Sequence, residues 1–274
     1  MAGALSLLPA LRRGAACLTL PLGALAAFCP FCRAAEGESP VRETLSAAGS
    51  VLTAPLRLDR ESAWWAGGIA AGGLLVYSAD GQIRRLFAKN QSSFNDDAAK
   101  VAEKFGNGGY ELGLVGLYGG LSYVLGSDYG TRTAVLATES FLAANAAGTL
   151  LKYSVGRARP YTEDGKRRFT PFKFKSARTS FPSGHTTSVF AVASVFARRY
   201  ESPAVGIAAY TLAASTALQR IYADKHWASD VFAGAALGTA VGRWIAKPDR
   251  TAPSAMLLPV SAPGYAGASL VYSF

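Results

Sequence analysis

Histidine is scarce in this chain: only two of its 274 residues, His185 and His226, carry an imidazole. Cysteine is confined to the start of the chain, because Cys17, Cys29 and Cys32 all lie within the first 35 residues. The chain after residue 35 therefore has no cysteine for a disulfide or a metal site. Two distant histidines without a helical HExxH pair also argue against a histidine-based metal site.

Charged residues are few, at 17% of the chain, and acidic residues are the minority among them. The 28 lysines and arginines against 18 aspartates and glutamates give a formal net charge of +10. Such a surplus favours acidic partners, for example phospholipid headgroups or phosphorylated substrates. Nucleic acid is not expected as a partner, because the basic residues are not interleaved with aromatics on a recognisable binding module.

The first 35 residues are typical of an export signal. Arg12 and Arg13 precede an uncharged apolar run over residues 14–28, and small residues follow at Ala34 and Ala35. Cleavage after residue 35 would remove three arginines and no acid, which leaves 25 minus 18, or +7. We therefore expect an exported protein of the periplasm or cell envelope. An uncleaved anchor helix is the alternative.

Apolar segments longer than about ten residues dominate the chain from residue 62 onward. They are rich in alanine and leucine, and they lack the period-two alternation of strands. The segments cover residues 62–79, 110–127, 133–151, 185–197, 203–218 and 227–246. These patterns predict an all-α fold, a helical bundle of about six core helices.

A further amphipathic helix is predicted between the first two apolar segments. The polar run Asn95-Asp96-Asp97 would cap it. The side chains expected to face inward are Ala98, Val101, Ala102 and Phe105.

The predicted organisation continues from the signal into a lead-in segment at 36–61, a helical catalytic domain at 62–250 and an extended tail at 251–274. In the tail, Pro263-Gly264 splits two apolar runs, which predicts a short C-terminal β-hairpin. The alternation toward a terminal aromatic also resembles the closing strand of outer-membrane proteins.

The sequence leaves the membrane disposition open. Several apolar segments are shorter than the roughly 20 residues that a bilayer needs, and ionisable residues lie within or beside them. One alternative is a compact periplasmic bundle that rests on a membrane, and the other is an integral membrane protein. The oligomeric state leaves no signal in the sequence.

An anion site is predicted where Pro182-Ser183-Gly184-His185 begins a helix. Ser183 is a natural N-cap, and an apolar run follows it. Unpaired backbone N–H groups and the positive end of the helix dipole attract an anion there, and Gly184 lets that anion approach the backbone closely. His185 would place a proton donor beside the same anion.

The second histidine stands four residues before an aspartate, as His226 and Asp230. On a helix this spacing places both side chains on one face, so the carboxylate could hold one ring nitrogen and leave the other as a nucleophile. Lys152, Arg159 and Arg220 add fixed cations for an oxyanion. Together these residues outline a phosphoryl-transfer site.

The three clusters resemble the motifs of the type 2 phosphatidic acid phosphatase (PAP2) and vanadium haloperoxidase superfamily. In order, they are Lys152, six residues, Arg159-Pro160; then Pro182-Ser183-Gly184-His185; then Arg220, five residues, His226, three residues, Asp230. One position departs from the family pattern, since Gln219 stands where a serine usually precedes the arginine. This departure puts one side-chain contact to phosphate in doubt.

The resemblance implies a role for each residue. His226 would attack phosphorus to give a phosphohistidine, Asp230 would orient His226, and His185 would protonate the leaving group. Water would then hydrolyse the intermediate with His185 as base. The phosphate-binding residues would be Lys152, Arg159, Ser183, Gly184 and Arg220. No metal or other cofactor is implied, although vanadate could occupy the site as a phosphate mimic.

Three functions fit this pattern. The first is a metal-independent phosphatase for phosphate monoesters or pyrophosphates, with lipid-linked substrates such as phosphatidate or a prenyl pyrophosphate. The second is a vanadate-dependent haloperoxidase, and the third is a non-catalytic envelope protein that binds phosphorylated lipids. We expect the first, because the chain lacks the long extra helical region of haloperoxidases. Arg157 is a candidate for a supporting contact, whereas Lys166, Arg167 and Arg168 are expected to be solvated.

Overall fold

The computed structural model describes residues 60–247 and the backbone of residues 254–262 and 265–273. The predictions for residues 1–35 and for nearly all of 36–61 lie outside this range. The helices belong to one compact unit, Arg60–Arg250, and the two strands belong to a separate one.

Seven α-helices occupy residues 60–247, and they form an all-α bundle as the sequence predicted. They are α1 (Arg60–Lys89), α2 (Ser93–Gly106), α3 (Gly108–Val124), α4 (Asp128–Val155), α5 (Gly184–Tyr200), α6 (Pro203–Tyr222) and α7 (Ala228–Ile245). Six of them correspond to the predicted apolar segments, and α2 corresponds to the predicted amphipathic helix.

Helix α1 is ten residues longer at its C-terminal end than the predicted segment, which stopped at Ala79. Asp80 interrupts the apolar run, but Ile83 and Phe87 continue the helical spacing. Both side chains pack against a buried cluster from α6 and α7. The helix therefore continues because its second half also has an apolar face to bury.

Helix α2 begins earlier than predicted and is rotated about its axis. Its N-cap is Ser92, whose side chain accepts a hydrogen bond from the Asn95 N–H at 3.2 Å. Ala102 is buried as predicted, but Val101 is 56% exposed. A cap three residues upstream and a buried Gly106 shift the inward face away from the predicted one.

The closest helix contact joins α5 to α7 along three glycines of α7 spaced four residues apart, Gly234, Gly238 and Gly242. A Cβ added to Gly238 would lie 2.2 Å from the carbonyl oxygen of Thr187, and one added to Gly242 would lie 2.2 Å from that of Ala191. Only glycine permits this approach of two backbones. The starts of α5 and α7 are consequently held side by side.

The long connection between α4 and α5 is fixed by its own backbone. Gly156 ends α4 in a left-handed conformation (φ +61°), and a Cβ there would lie 2.0 Å from the Thr170 carbonyl oxygen. The Ala158 N–H donates to the backbone carbonyl oxygen of Arg168 at 2.9 Å, and the Ser180 N–H donates to that of Arg157 at 3.1 Å. These bonds fold the connection back over the end of the bundle.

The tail contains two strands, β1 (Ser254–Ala262) and β2 (Tyr265–Ser273). They pair antiparallel in a register that runs from Ser254 opposite Ser273 to Ala262 opposite Tyr265. These strands correspond to the two apolar runs on either side of Pro263-Gly264, a dipeptide outside the described residues.

Much of the helical surface is apolar. Helix α4 is, by length and composition, able to cross a membrane, and only 33% of its most apolar 18-residue window is buried. Large exposed apolar side chains include Trp64, Trp65, Leu74 and Leu75 of α1, Phe94 and Val101 of α2, Leu114, Leu117, Leu121 and Val124 of α3, Leu142 and Leu150 of α4, and Ile207 and Leu218 of α6. Exposed apolar side chains in such number are typical of a protein that contacts a membrane or a partner.

Candidate active site

Four helix ends meet at one end of the bundle: the C-terminal ends of α4 and α6 and the N-terminal ends of α5 and α7. The Ser183 N–H donates to the Asp230 carbonyl at 3.0 Å, which ties the start of α5 to the first turn of α7. Lys152, in the last turn of α4, donates to the carbonyl of Pro182. All eight residues predicted for the site lie at these ends or in the connections beside them.

The start of α5 offers backbone N–H groups to an anion. Ser183 occupies the N-cap position, but its hydroxyl accepts from Thr186 Oγ1 at 2.9 Å and makes no capping bond to the backbone. A Cβ on Gly184 would lie 3.6 Å from the Lys152 ammonium. A helix N-terminus and a fixed cation therefore face the same space.

Arg159 enters this space from the connection between α4 and α5. Its Nη2 makes a long contact of 3.5 Å to Thr179 Oγ1. Its Nε atom is buried and has no hydrogen-bond partner within residues 60–247. Burial lowers the pKa of Arg159. A buried, underused guanidinium is suited to bind an oxyanion.

Arg220, in the last turn of α6, is buried and is held from two sides. Its Nη2 donates to Glu103 Oε1 at 2.8 Å, and its Nε donates to the side-chain oxygen of Gln219. Gln219, which replaces the serine of the family pattern, therefore orients the arginine. The hydrogen bond from Arg220 lowers the pKa of Glu103.

His226 is buried in the connection between α6 and α7. Its Nδ1 lies 2.7 Å from the backbone carbonyl oxygen of Ser180. Because a carbonyl oxygen only accepts, Nδ1 carries the proton and Nε2 keeps its lone pair. Burial, followed by the charges of Lys152 and Arg159, lowers the pKa of His226 well below 6.5. The imidazole is thus neutral and tautomerically suited to attack through Nε2.

Asp230 does not lie where the sequence placed it relative to His226. Helix α7 begins at Ala228, so His226 precedes the helix and the four-residue spacing does not put both side chains on one helical face. The Asp230 carboxylate accepts from the Trp227 N–H at 3.0 Å and from Ser180 Oγ at 2.5 Å. Its link to His226 is therefore indirect, through Ser180.

His185 lies in the first turn of α5 and differs from His226 in its surroundings. Its ring and Cβ lie 3.2–3.3 Å from the position of a Cβ on Gly106, so it packs against the end of α2. Burial, followed by the charge of Arg220, lowers the pKa of His185 to about 4. An anion bound among the cations would raise this pKa again.

The sequence predicted one residue that supports the site, Arg157, and missed another, Asp80. Arg157 is buried and donates to Asp80, to Asp230 and to Ser229 Oγ. Asp80 had a sequence signal, since it is an acid that follows a long apolar run within a helix whose apolar face continues at Ile83 and Phe87. Lys166, which was expected to be solvated, donates to the carbonyl oxygens of Tyr77 and Ser78 at 2.9 Å each.

A groove of about 740 Å³ lies beside this cluster, between the ends of α1, α2 and α6. Glu103 and Gln219, both of which bond to Arg220, form part of its wall. The histidines do not line it. The groove is therefore adjacent to the cationic cluster and does not contain it.

The all-α bundle thus brings cationic side chains and a neutral, buried imidazole together at one end. Comparison with known proteins finds that residues 133–251 match the family model described as the PAP2 superfamily.

Two relatives carry the name lipid A 1-phosphatase. The protein from Porphyromonas gingivalis is 35% identical over 190 residues, which is 65% of this chain and 37% of that protein. The protein from Rhizobium etli is 41% identical over 91 residues, which is 32% of this chain and 38% of that protein. The matched regions thus span less than two fifths of the length of these relatives.

A solved structure supports the fold. The transmembrane PAP2-type phosphatidylglycerolphosphate phosphatase from Bacillus subtilis superposes with a TM-score of 0.51 at 20% sequence identity. The superposition covers 65% of this chain and 92% of that one. At this identity, the likeness concerns the helical architecture.

Proposed function

We propose that the protein is a metal-independent phosphatase that hydrolyses phosphorylated lipids through a phosphohistidine at His226. One observation carries the proposal: the charges of Lys152 and Arg159 act on a neutral, buried imidazole whose Nε2 is unprotonated, and the charge of Arg220 acts on the neighbouring His185. Within residues 60–247, Glu103 is the one carboxylate that forms a salt bridge with any of these cations, Lys152, Arg159 and Arg220. The remaining positive charge is what a phosphate group would neutralise.

In the first step, Nε2 of His226 attacks phosphorus while the bond from phosphorus to the ester oxygen breaks. Lys152, Arg159 and Arg220 neutralise the equatorial oxygens, and the N–H groups at Gly184 bind one of them. His185 donates a proton to the departing oxygen. The products of this step are the free alcohol and a phosphohistidine. Its Nδ1 keeps the proton and still donates it in a hydrogen bond to the Ser180 carbonyl oxygen.

In the second step, water attacks the phosphohistidine from the side that the alcohol has left. His185, now neutral, takes a proton from this water as the oxygen–phosphorus bond forms. The bond between Nε2 and phosphorus breaks, and its electron pair returns to Nε2. Inorganic phosphate leaves, and both histidines regain their starting protonation states.

We infer a lipid substrate from two observations. The helices expose many large apolar side chains, and α4 has the length and composition of a membrane helix. Two relatives are named for a phosphate of lipid A. A phosphatase with such a surface would act on headgroup phosphates at a membrane, and the lipid A 1-phosphate ester is the first substrate to test.

The test is phosphate release by the purified full chain in detergent from lipid A, phosphatidate, a prenyl pyrophosphate and an aryl phosphate. The wild type is compared with His226→Ala, with and without EDTA. We expect release by the wild type, unchanged by EDTA, and loss of release in a His226→Ala variant that keeps its helical circular dichroism. Acid-labile labelling of the wild type by ³²P substrate would report the phosphohistidine.

Two results would contradict the proposal. Loss of wild-type activity on chelation would require a metal. Equal activity in His226→Ala would exclude this histidine as nucleophile, and a folded wild type that binds lipid without turnover would favour a binding function.

A further inference from the structure

A buried ionic network behind the site has no role in the steps described above. Its central residue is Arg157, which is 1% exposed, and Asp80 on α1 is equally buried. Arg157 Nη2 donates to Asp80 Oδ2 at 2.7 Å, and Arg157 Nη1 donates to Asp230 Oδ1 at 2.5 Å. A charge this deep in a protein needs such partners, because desolvation is costly.

Asp80 also holds the first turn of α7 directly. Its Oδ1 accepts from the Ser229 N–H at 2.9 Å, and its Oδ2 accepts from the Ser229 hydroxyl at 2.7 Å. The Asp80 carboxylate thus accepts three hydrogen bonds. Two come from Ser229, the residue before Asp230, and one comes from Arg157, which pairs with the Asp230 side chain. Asp80 therefore holds both the residue before Asp230 and the arginine that pairs with the Asp230 carboxylate.

The network reaches the nucleophile through one further residue. Asp230 Oδ2 accepts from Ser180 Oγ at 2.5 Å, and the Ser180 carbonyl oxygen accepts from His226 Nδ1 at 2.7 Å. Every residue in this path, from Asp80 to His226, is at least 97% buried. Water therefore cannot replace a lost contact readily, and a shift at Asp80 is passed to the imidazole.

Aromatic rings enclose the arginine and restrict where it can move. The guanidinium carbon of Arg157 lies 5.0 Å from the centre of the Tyr77 ring, 5.5 Å from Trp227 and 5.8 Å from Phe169. Burial raises the pKa of Asp230, and Arg157 opposes this increase. Arg157 donates to the carboxylates of both Asp80 and Asp230. Loss of the Asp80 carboxylate would therefore change how Arg157 binds Asp230.

We propose that Asp80 is a positioning residue for the nucleophile: through Arg157, Asp230 and Ser180 it fixes the Nδ1–H tautomer and the direction of Nε2 in His226. This inference rests on the proposed phosphatase function. Helix α1, which is far from the catalytic motifs in sequence, thereby has a specific part in the first chemical step.

A second ion pair supplies a matched control. Arg84, one helical turn after Asp80 on α1, bonds to Asp224 and to Glu163 at distances of 2.6–3.1 Å. Asp224 stands two residues before His226, so Arg84 also ties α1 to the segment that carries the nucleophile. Within residues 60–247 it forms no hydrogen bond or ion pair with Asp230 or Ser180, and its guanidinium carbon lies 5.7 Å from the centre of the Trp227 ring. If the ionic contacts of α1 serve only to attach it, Arg84 and Asp80 should behave alike.

The experiment compares Asp80→Asn and Arg84→Gln with the wild type on an aryl phosphate, which needs little help from a general acid. For Asp80→Asn we expect kcat to fall by about 10- to 100-fold, since a misplacement of about 1 Å costs about 10²-fold. The inhibition constant of inorganic phosphate should stay near its wild-type value, because the cations are untouched. Arg84→Gln should keep kcat near the wild-type value.

Equal kcat losses in both variants, or a weakened phosphate inhibition constant in Asp80→Asn, would overturn the proposal and leave a structural role. If Asp80→Asn does not fold, Asp80→Glu, which keeps the charge and displaces it by one methylene, is judged by the same two constants. Failure of both variants to fold beside a folded Arg84→Gln also counts against positioning. An inactive wild type would instead refute the proposed function itself.

Discussion

His185 and His226 are both histidines, but their rings have different hydrogen-bonding environments. His226 is bonded through Nδ1 to a carbonyl, whereas His185 has no hydrogen bond from its ring to another residue within the described helices and connections and packs on Gly106. A nucleophile needs a fixed lone pair, and an acid needs freedom to gain and lose a proton. The two environments support the division of roles that the resemblance implied.

Leaving-group dependence tests this division. We expect His185→Ala to lower kcat on an alkyl phosphate by about 10²- to 10⁴-fold, the usual contribution of general acid catalysis. The loss on an aryl phosphate should be much smaller, because that leaving group departs without protonation. The measurement is kcat for both esters in the wild type and the variant. Equal losses would remove His185 from the role of acid.

The depressed pKa of His226 predicts a stability effect with a defined sign. Unfolded, this histidine binds a proton near pH 6.5, whereas folded it stays neutral to a lower pH. Its contribution to the free energy of unfolding is present above pH 6.5 and is lost as the pH falls toward the folded pKa. The slope is about 1.4 kcal/mol per pH unit.

His226→Gln keeps a donor for the Ser180 carbonyl and removes the titration. Urea unfolding in detergent between pH 7.5 and pH 5 should therefore show a steeper loss of stability in the wild type than in His226→Gln. Parallel curves would mean that the folded imidazole titrates like an exposed one.

At the scale of helices, the contact between α5 and α7 sets the geometry of the site. Ser183 and His185 begin one helix and Asp230 begins the other, and the glycines of α7 bring the two backbones together. The absence of a side chain at Gly238 permits this approach. The anion site and the network behind His226 both depend on this contact.

Gly238→Ala tests that dependence. Its Cβ would overlap the Thr187 carbonyl, so we expect a loss of about 1–3 kcal/mol in the free energy of unfolding, as for an overpacked core. The matched control is Gly116→Ala on α3, where a Cβ meets nothing within 4 Å. That variant should gain roughly 0.5–1 kcal/mol from helix propensity. Similar stabilities for the two variants would show that α5 and α7 can separate without cost.

At the scale of the whole molecule, a lipid substrate would have to contact both the apolar surface of the helices and the cationic site. The acyl or prenyl chains would stay with the exposed apolar side chains of the helices, while the phosphate reaches the cationic end. The surplus of basic residues favours the same anionic interface. Under the proposed function, one arrangement of helices would serve both catalysis and membrane association.

Tryptophan fluorescence tests the membrane contact. Trp64 and Trp65 of α1 are 74% and 70% exposed, whereas Trp227 is buried. In vesicles with brominated acyl chains we expect strong quenching of the wild type and much weaker quenching of Trp64→Phe/Trp65→Phe. Quenching that is absent in the wild type, or unchanged in the double variant, would place this surface outside the lipid.

Several features followed from local sequence alone. The approximate helix positions and the start of α5 at Gly184 follow from periodicity and capping, which act over a few residues. The catalytic candidates were recognisable because both histidines fall in spaced motifs. Predictions failed where a local rule was extended across a boundary: the His226–Asp230 spacing was treated as helical, but the helix begins between the two residues.

The sequence by itself determined the helices, the motif residues and the positive charge, because each depends on neighbours along the chain. Tertiary structure alone decided that a carbonyl of Ser180 holds His226, that Gln219 and Glu103 orient Arg220, and that Asp80 and Arg157 support Asp230. These contacts join residues whose separation in sequence carries no pattern. They form only when the glycine contact and the folded connection bring distant segments within hydrogen-bonding distance.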